Sequence, residues 1–312
     1  MRKNTAFTIF LAFITIKIFA QADISMATHW YNRANYNPAS IARINYMYLF
    51  TNVRQQWVNV TGAPQVMNIQ ASIYNENLKS AFGISFVSDQ IGISQAINPM
   101  LSYAYRVDEG NMAVSFGISA GIFSRTYNGS LFDPLEDDPA LSFEINELIK
   151  PDANIGFEFQ TRHFIGGASS THILSINNAD SSYLNSNHRY AYLIYKNTDG
   201  ELINWYAGMQ FVNRSNLSVM EFNGSVRFKH PSGLKNGAKE LFDIGLTYRT
   251  SKQITLLLGW NISENFRIGY AYDQSLITGF NQNGSHEIML EYRIPLKSAT
   301  CIPCMNDNSW YR

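Results

Sequence analysis

Repeated segments in which apolar and polar residues alternate are the feature that most constrains the fold of this chain. In the last of them, Ser285–Pro295, one face carries His286, Ile288, Leu290, Tyr292 and Ile294, and the other carries Glu287, Met289, Glu291 and Arg293. A period of two places successive side chains on opposite faces of a β-strand. The pattern recurs along most of the chain. We therefore interpret the apolar face of each strand as the face in contact with lipid, as in an outer-membrane β-barrel.

The first residues predict export across the inner membrane. Met1-Arg2-Lys3 is followed by an apolar stretch over residues 6–16 and by small residues at Ala20 and Ala22, which is the order found in a secretory signal peptide. The stretch is shorter than the roughly 20 apolar residues that a membrane-spanning helix needs. We therefore predict a cleaved signal peptide over residues 1–20, with cleavage after Ala20 or, alternatively, after Ala22.

The mature chain is predicted to be all-β, a transmembrane antiparallel β-barrel of about fourteen strands over residues 21–296. We expect the first strand to start near Ala42 and to carry its apolar face on Ala42, Ile44, Tyr46, Tyr48 and Phe50. A strand in the second half is expected to carry its apolar face on Tyr190, Tyr192 and Ile194.

A soluble periplasmic β-sandwich is the alternative fold, because its strands also alternate between apolar and polar residues. Composition favours the barrel. The chain has 18 Tyr, 20 Phe and 5 Trp, and these rings crowd the strand ends, as the aromatic girdles of membrane proteins do. A formal net charge of zero gives no indication of a nucleic-acid partner. We predict an outer-membrane location with both termini in the periplasm.

No pattern in the sequence predicts catalysis, a cofactor or a metal site. The His residues are dispersed without an HExxH motif, and Gly-rich phosphate loops are missing. Ser285 and His286 are neighbours in a strand and point to opposite faces, so they do not form a nucleophile and base. Charged residues that face the lumen could line a pore, but we favour a salt-bridged interior built from Arg106, Glu158, Arg249, Arg267, Asp273, Glu287, Glu291 and Arg293.

Residues 297–312 predict a short periplasmic tail. It contains the two cysteines of the chain, Cys301 and Cys304, in a C-I-P-C motif. We favour a local disulfide or bystander thiols over a redox dithiol or half of a metal site, since no second CxxC or His pair accompanies them. The tail could dock to periplasmic partners, and a disordered end is the alternative.

An ordered set of motifs resembles a known family. In chain order the motifs are Asn37-Pro38-Ala39, Arg54-x-Gln56-Trp57, Gly62-Ala63-Pro64, Ile91-Gly92, Tyr103-Ala104-Tyr105, the R-I-G-Y-A-Y-D run of residues 267–273, and the G-S-H-E-I run of residues 284–288. The set resembles the PorP/SprF family, outer-membrane proteins of the type IX secretion system in Bacteroidetes. The signature positions are Asn37, Pro38, Arg54, Trp57, Pro64, Gly92, Tyr103, Tyr105, Gly269, Tyr270, Tyr272, Asp273, His286 and Glu287.

The resemblance implies a function without catalysis. It implies a barrel that assists the export or surface anchoring of cargo with C-terminal sorting domains, some of it gliding adhesins. It also implies contacts with outer-membrane lipid and with periplasmic ring and lipoprotein components. The alternative is an outer-membrane porin or a channel for hydrophobic solutes, which the alternation alone supports equally well.

Several signature residues suggest physical roles in a barrel. Pro38 would fix the backbone at the start of the first strand. Arg54 and Trp57 would lie at an external strand end, where Arg54 would meet lipid headgroups or a partner and Trp57 would anchor at the interface. His286 is expected at the external interface, with Glu287 at the mouth of the lumen.

Overall fold

The computed structural model of the 312-residue chain describes residues 26–43, 46–128, 145–175, 186–214, 217–230, 240–277 and 284–296. The predicted signal peptide, with both candidate cleavage positions, lies outside these residues. So does the predicted tail with Cys301 and Cys304. In the described part of the chain, no helix is long and apolar enough to cross a membrane.

The strands form one closed antiparallel barrel in which each strand pairs with the next and the last pairs with the first. The prediction of about fourteen strands is confirmed, and closure excludes the two-sheet sandwich. The strands are β1 (Tyr46–Gln55), β2 (Gln65–Asn75), β3 (Ser80–Ile91), β4 (Ser94–Glu109), β5 (Met112–Asn128), β6 (Ile145–Thr161), β7 (Phe164–Thr171), β8 (His188–Asn197), β9 (Ile203–Arg214), β10 (Leu217–Lys229), β11 (Glu240–Arg249), β12 (Gln253–Asn261), β13 (Phe266–Ser275) and β14 (Ser285–Pro295).

Side chains alternate between the outside and the inside of the barrel, as the sequence predicts for most strands. On β12, Leu256, Leu258 and Trp260 are exposed on the outer face, whereas Thr255 and Leu257 are buried. The outer face of the barrel is therefore apolar. The eight charged residues predicted to face the lumen are all buried: Arg106, Glu158, Arg249, Arg267, Asp273, Glu287, Glu291 and Arg293.

Two predictions of strand facing are wrong. The first strand starts at Tyr46 rather than near Ala42, and its inner face carries Tyr48 and Phe50, while Leu49 and Val53 face outwards.

On β8, Tyr192 and Ile194 are also buried on the inner side. The physical reason is an apolar cluster inside the lumen, in which Phe50, Tyr192 and Ile194 pack with Trp30 and Tyr36.

The two ends of the barrel are named here by the strand ends that they contain. We call the end with Tyr46 and Pro295, which are paired across β1 and β14, the terminal rim, and the other end the opposite rim. At the opposite rim, β3 and β4 are joined by a tight turn at Gly92 and Ile93. Gly92 has a positive φ of 55°, which glycine adopts without a steric penalty.

The segment before β1 lies inside the barrel. Residues 26–43, here called the plug, contain three short 3-10 helices, η1 (Ala27–Trp30), η2 (Arg33–Asn35) and η3 (Pro38–Ile41). The side chains of Asn32 and Asn37 accept hydrogen bonds from the amides of the helices that follow them. These caps let short helices form without long runs of good helix formers.

Candidate functional site

The first turn of the plug is held by the carboxylate of Glu287 on β14. This carboxylate accepts hydrogen bonds from the Ala27 amide at 2.6 Å and the Thr28 amide at 3.2 Å, and from the Thr28 hydroxyl. From β1, Asn52 Nδ2 donates to it at 2.7 Å and Arg54 Nη1 at 3.3 Å. Glu287 therefore joins the plug to the seam at which the first and last strands close the barrel.

A chain of buried ion pairs continues from this seam around the plug. Arg54 pairs with Asp273 at 2.5 Å, and Asp273 pairs with Arg249 at 3.3 Å. Arg249 then pairs with Glu221 at 3.0 Å, and Glu221 contacts His29 of the plug at 2.9 Å. Because each charge in this series contacts one of opposite sign, the polar interior avoids the large cost of an isolated buried charge.

A second ion pair fixes the middle of the plug. Arg33 donates two hydrogen bonds to Glu158, at 2.8 and 3.2 Å, in the bidentate arrangement that suits a guanidinium and a carboxylate. Tyr192 and Gln160 also donate to Glu158, the latter at 2.7 Å. Wall residues on β6 and β8 thus hold the carboxylate that pairs with this plug cation.

Asn37 connects the last plug helix to the wall. Its Oδ1 accepts from the Ala39 amide at 3.0 Å, while its Nδ2 donates to the Phe157 carbonyl at 2.9 Å and to the Tyr192 hydroxyl at 2.8 Å. Pro38 occupies the first turn of η3. The predicted role of Pro38 at the start of β1 is wrong, since it lies in a helix inside the lumen.

Two wall glycines make room for this part of the plug. A Cβ added at Gly117 would overlap the backbone of Ala39, and one added at Gly156 would overlap the side-chain oxygen of Asn37. A larger residue at either position would therefore push the plug away from β5 and β6. The Asn37-Pro38-Ala39 motif and these glycines form one interface.

The structure corrects the predicted position of Arg54. Its side chain is buried in the lumen, where it pairs with Asp273 and Glu287, rather than reaching lipid headgroups. Asp273 and Glu287 are themselves signature positions, so three residues that are distant in sequence form one ionic cluster. Glu287 faces the lumen, as predicted.

Other signature residues meet at the opposite rim. The Trp57 amide donates to Ser285 Oγ at 3.3 Å, and the Val58 amide donates to the Gly284 carbonyl at 3.1 Å. In the same loop the Gln56 amide donates to the Pro64 carbonyl at 2.9 Å. The β1–β2 loop is thus tied to the β13–β14 connection.

The neighbouring hairpin joins this rim as well. The Gly92 amide donates to the Gly62 carbonyl at 3.0 Å, so the β3–β4 turn contacts the β1–β2 loop. Within that loop Val60 is exposed. Signature motifs from three hairpins therefore form a continuous rim surface.

Aromatic signature residues lie on the outer face. Tyr270 and His286 form a hydrogen bond of 2.6 Å between the hydroxyl and Nδ1, and the ring of Tyr272 lies 5.1 Å from that of His286. Tyr103 and Tyr105 are also exposed outwards. In contrast, Gly269 is on the inner side against Met289, where a Cβ would overlap the methionine side chain.

Between the plug and the opposite rim the lumen contains a partly open cavity of about 120 Å³, here called the vestibule. It is lined by Met26, His29, Asn35, Tyr36, Val66, Val87, Asp89, Ala96, Asn98, Phe123, Asn154, Thr171, His172, Tyr190, Gln210, Val212, Arg214 and Glu221. Across the described ranges, no group of three or more His, Cys, Asp and Glu residues is placed to hold a metal ion.

Sequence comparison gives a family match over most of the chain. Residues 18–292 match the family described as type IX secretion system membrane protein PorP/SprF. None of the curated proteins matches the chain significantly.

Solved structures with a similar fold are outer-membrane barrels. The monoaromatic hydrocarbon channel CymD superimposes with a TM-score of 0.51 at 12% identity, covering 90% of this chain and 96% of CymD. A TodX deltaS2S3 mutant, also a monoaromatic hydrocarbon channel, gives 0.50 at 9% identity over 85% of this chain and 94% of its own. The toluene transporter TbuX of Ralstonia pickettii gives 0.48 at 12% identity, covering 84% and 92%. At these identities the likeness shows the fold alone.

Proposed function

The chain belongs to the PorP/SprF family of type IX secretion system membrane proteins, and we propose that it assists the export or surface anchoring of cargo with a C-terminal sorting domain. Its family and its barrel fold make it an outer-membrane component of that system. The proposed role needs no catalysis by the barrel. Gliding adhesins are one class of cargo that would fit.

The filled lumen is the observation that carries this proposal. The plug is attached to the wall through Glu287, Glu221 and Glu158, and its rings pack into the apolar cluster with Phe50 and Ile194. A barrel closed in this way supports a role in holding partners at its rims more than one in passing solutes. The alternative role, a porin or hydrophobic-solute channel, draws on the CymD-like fold and would require the plug to move.

The two rims suggest which partners bind at each end. Membrane barrels keep short turns on the periplasmic side and longer loops outside. The two longest connections, at 129–144 and 172–187, are at the opposite rim, although that rim also has tight turns at 92–93 and 250–252; the terminal rim has short turns such as those at residues 76–79 and 110–111. We assign this rim to the periplasm, where ring and lipoprotein components would contact it. The signature surface around Val60 and Gly92 would then face outwards, towards cargo.

Purification from the native outer membrane should recover a large sorting-domain protein, ring subunits, or both. The tagged protein is extracted in mild detergent, and its companions are identified by mass spectrometry. Val60→Asp should reduce cargo recovery, because a charge is placed in the outward rim surface. Leu202→Asp is the matched control, since Leu202 is exposed in the β8–β9 turn at the terminal rim.

The proteins recovered with each variant test both the secretion role and the orientation of the barrel. Cargo loss confined to Val60→Asp supports the rim assignment. A barrel that is recovered without companions would contradict the proposed role. Equal effects of the two substitutions on cargo recovery would contradict the proposed orientation of the barrel.

Gly117→Leu should open the lumen. The new side chain would overlap the Ala39 backbone, and overpacking of this kind typically costs about 1–3 kcal/mol, which the plug can avoid by leaving its place. We expect higher ion conductance in planar bilayers and new protease cleavage in residues 26–43. Gly224→Leu is the control, because nothing lies within 4 Å of a Cβ at that position.

The wild-type protein is the reference for the conductance measurement. It should conduct ions poorly, because the plug fills the lumen. High wild-type conductance that Gly117→Leu leaves unchanged would favour the channel role.

A further inference from the structure

Strand β6 has an edge that no described strand covers. β5 pairs with β6 along the whole strand, beginning at Ile145. β7 pairs with β6 only from Ile155 onwards, opposite Ser170. Among the described residues, the first part of β6, residues 145–154, therefore has no strand on the β7 side. At the opposite rim this part of β6 extends past the end of β7 over roughly 30 Å of strand.

The direction of backbone hydrogen bonds shows which β6 residues face this edge. Arg106 on β4 and Lys196 on β8 face the lumen, and their strands run in the same direction as β6. The Arg106 amide donates to the Lys79 carbonyl just before β3 at 2.8 Å, and the Lys196 amide donates to the His163 carbonyl at 2.7 Å. Lumen-facing amides of these strands thus point towards the preceding strand. Because side-chain face and hydrogen-bonding edge alternate together, the outward-facing residues of β6 point towards β7.

The uncovered edge has a limited length. Glu147 and Ile149 each direct an amide and a carbonyl towards it, and no described backbone group pairs with them on that side. Pro151 supplies a carbonyl alone, since proline has no amide hydrogen. The Ala153 amide is bonded to the neighbouring carboxylate side chain at 2.8 Å. We call residues 145–151 the open edge, and they are enough to pair with a typical strand of about 5–6 residues.

The unpaired backbone groups of the open edge are suited to another polypeptide. A row of amides and carbonyls at strand spacing matches the backbone of an extended chain, which can add to the sheet as a further strand. Lipid acyl chains neither donate nor accept such hydrogen bonds. The outward side chain of Ile149 is 56% exposed, so an added strand also places side chains beside an apolar neighbour.

Membrane orientation argues against a second copy of this chain as the partner. Every copy is inserted in the same direction, so the open edge of a neighbouring barrel runs the same way as this one. Such a neighbour offers only a parallel strand, and parallel pairing is slightly less stable per residue than antiparallel pairing. A segment of a different protein approaches in either direction and can pair antiparallel.

We propose that the open edge binds an extended segment of the secreted cargo, which adds to the barrel as an antiparallel strand beside β6. This contact rests on the proposed function, because it assumes an exported client and an opposite rim that faces outwards. Backbone hydrogen bonds to Glu147 and Ile149 hold the segment. Recognition therefore depends on an extended conformation more than on a particular side-chain sequence.

Hydrogen exchange of the isolated full-length barrel tests the edge in the absence of cargo. Exchange is measured residue by residue in detergent, by mass spectrometry with electron-transfer fragmentation. The amides of Glu147 and Ile149 should exchange roughly fivefold or more faster than those of Leu148 and Lys150, which point towards β5, because one hydrogen bond is missing. Equally slow exchange of all four amides would overturn the proposal, since this chain would itself cover the edge.

Ile149→Pro removes the central donor of the open edge. Proline is tolerated in an edge strand where its amide position faces away from the sheet, so β6 should stay paired with β5. In purification from the native outer membrane, recovery of sorting-domain cargo should fall about five- to tenfold through the lost hydrogen bond. Ile149→Thr is the matched control, because it keeps the amide and a good strand propensity. It should recover cargo like the wild type.

The purified wild-type complex provides the direct structural readout. Bound cargo should slow exchange at the Glu147 and Ile149 amides to the rate of their neighbours. Undiminished cargo recovery by Ile149→Pro, equal losses in Ile149→Pro and Ile149→Thr, or unchanged exchange in the complex would overturn the contact and leave the export role intact. Absence of cargo from the wild-type preparation would contradict the export role and the contact together.

Discussion

Glu287→Ala is expected to destabilise the folded barrel by about 3–5 kcal/mol, the usual cost of removing one partner from a buried ion pair. The carboxylate is fully buried and accepts from the plug at Ala27 and Thr28 and from β1 at Asn52 and Arg54. Its loss leaves these donors without their acceptor and leaves Arg54 with Asp273 alone. Both the plug and the seam between β1 and β14 should weaken.

The measurement is urea unfolding in detergent or lipid, followed by the gel shift between folded and unfolded barrel. Limited proteolysis should also show earlier cleavage of the plug in Glu287→Ala. Glu287→Gln keeps one acceptor oxygen, so its free energy of unfolding should lie between those of the wild type and the alanine variant.

Asp199→Ala provides the matched control for removal of a paired carboxylate. Asp199 pairs with Arg162 at 2.8 Å, but both side chains are largely exposed. The Arg162 hydrogen bond lowers the pKa of Asp199 below its usual value, yet exposed pairs add little to stability. Equal effects of Asp199→Ala and Glu287→Ala would contradict the proposed function of Glu287 as the link between plug and seam.

The outer surface could be predicted from the sequence because lipid imposes a simple rule on it. Outward side chains near the middle of the membrane must be apolar, so a strand such as β12 shows the period of two without exceptions on that face. Antiparallel hairpins between consecutive strands then follow from short connections. The fold class and the number of strands could therefore be predicted without information about the interior of the barrel.

The plug could not be predicted by the same rule. Alternation shows that a strand has two faces, but in the first half of β1 both faces are apolar: Leu49 faces lipid, and Tyr48 and Phe50 face the lumen. Only the presence of Trp30 and its neighbours inside the barrel explains the apolar inner face. The segment itself has short helices capped by Asn side chains, which resemble a loop in sequence.

The ionic cluster was predictable in its parts but not in its pairings. The sequence places Asp273 and Glu287 on lumen-facing positions, because each lies opposite to apolar neighbours in its strand. Their common partner, Arg54, is on β1, and only closure of the barrel brings β1 beside β14. Pairing between the ends of a chain depends on closure and register, which local patterns do not contain.

Leu256→Arg should prevent or weaken barrel assembly, because an arginine on the lipid face at the membrane midplane costs roughly 2–4 kcal/mol. Leu256 is near the centre of β12 and is exposed outwards between Ile254 and Leu258. Here the long side chain is far from both rims, so its charge cannot easily reach water. We expect lower abundance in the outer membrane and less of the heat-modifiable folded form on gels.

Ile262→Arg is the matched control for depth. Ile262 is equally apolar and exposed, but it follows the last residue of β12, where a charge on a barrel costs only about 0–1 kcal/mol. It should assemble like the wild type. If Leu256→Arg assembled as well as Ile262→Arg, the Leu256 side of β12 would not face lipid, and the inside-out assignment of this part of the barrel would have to be reversed.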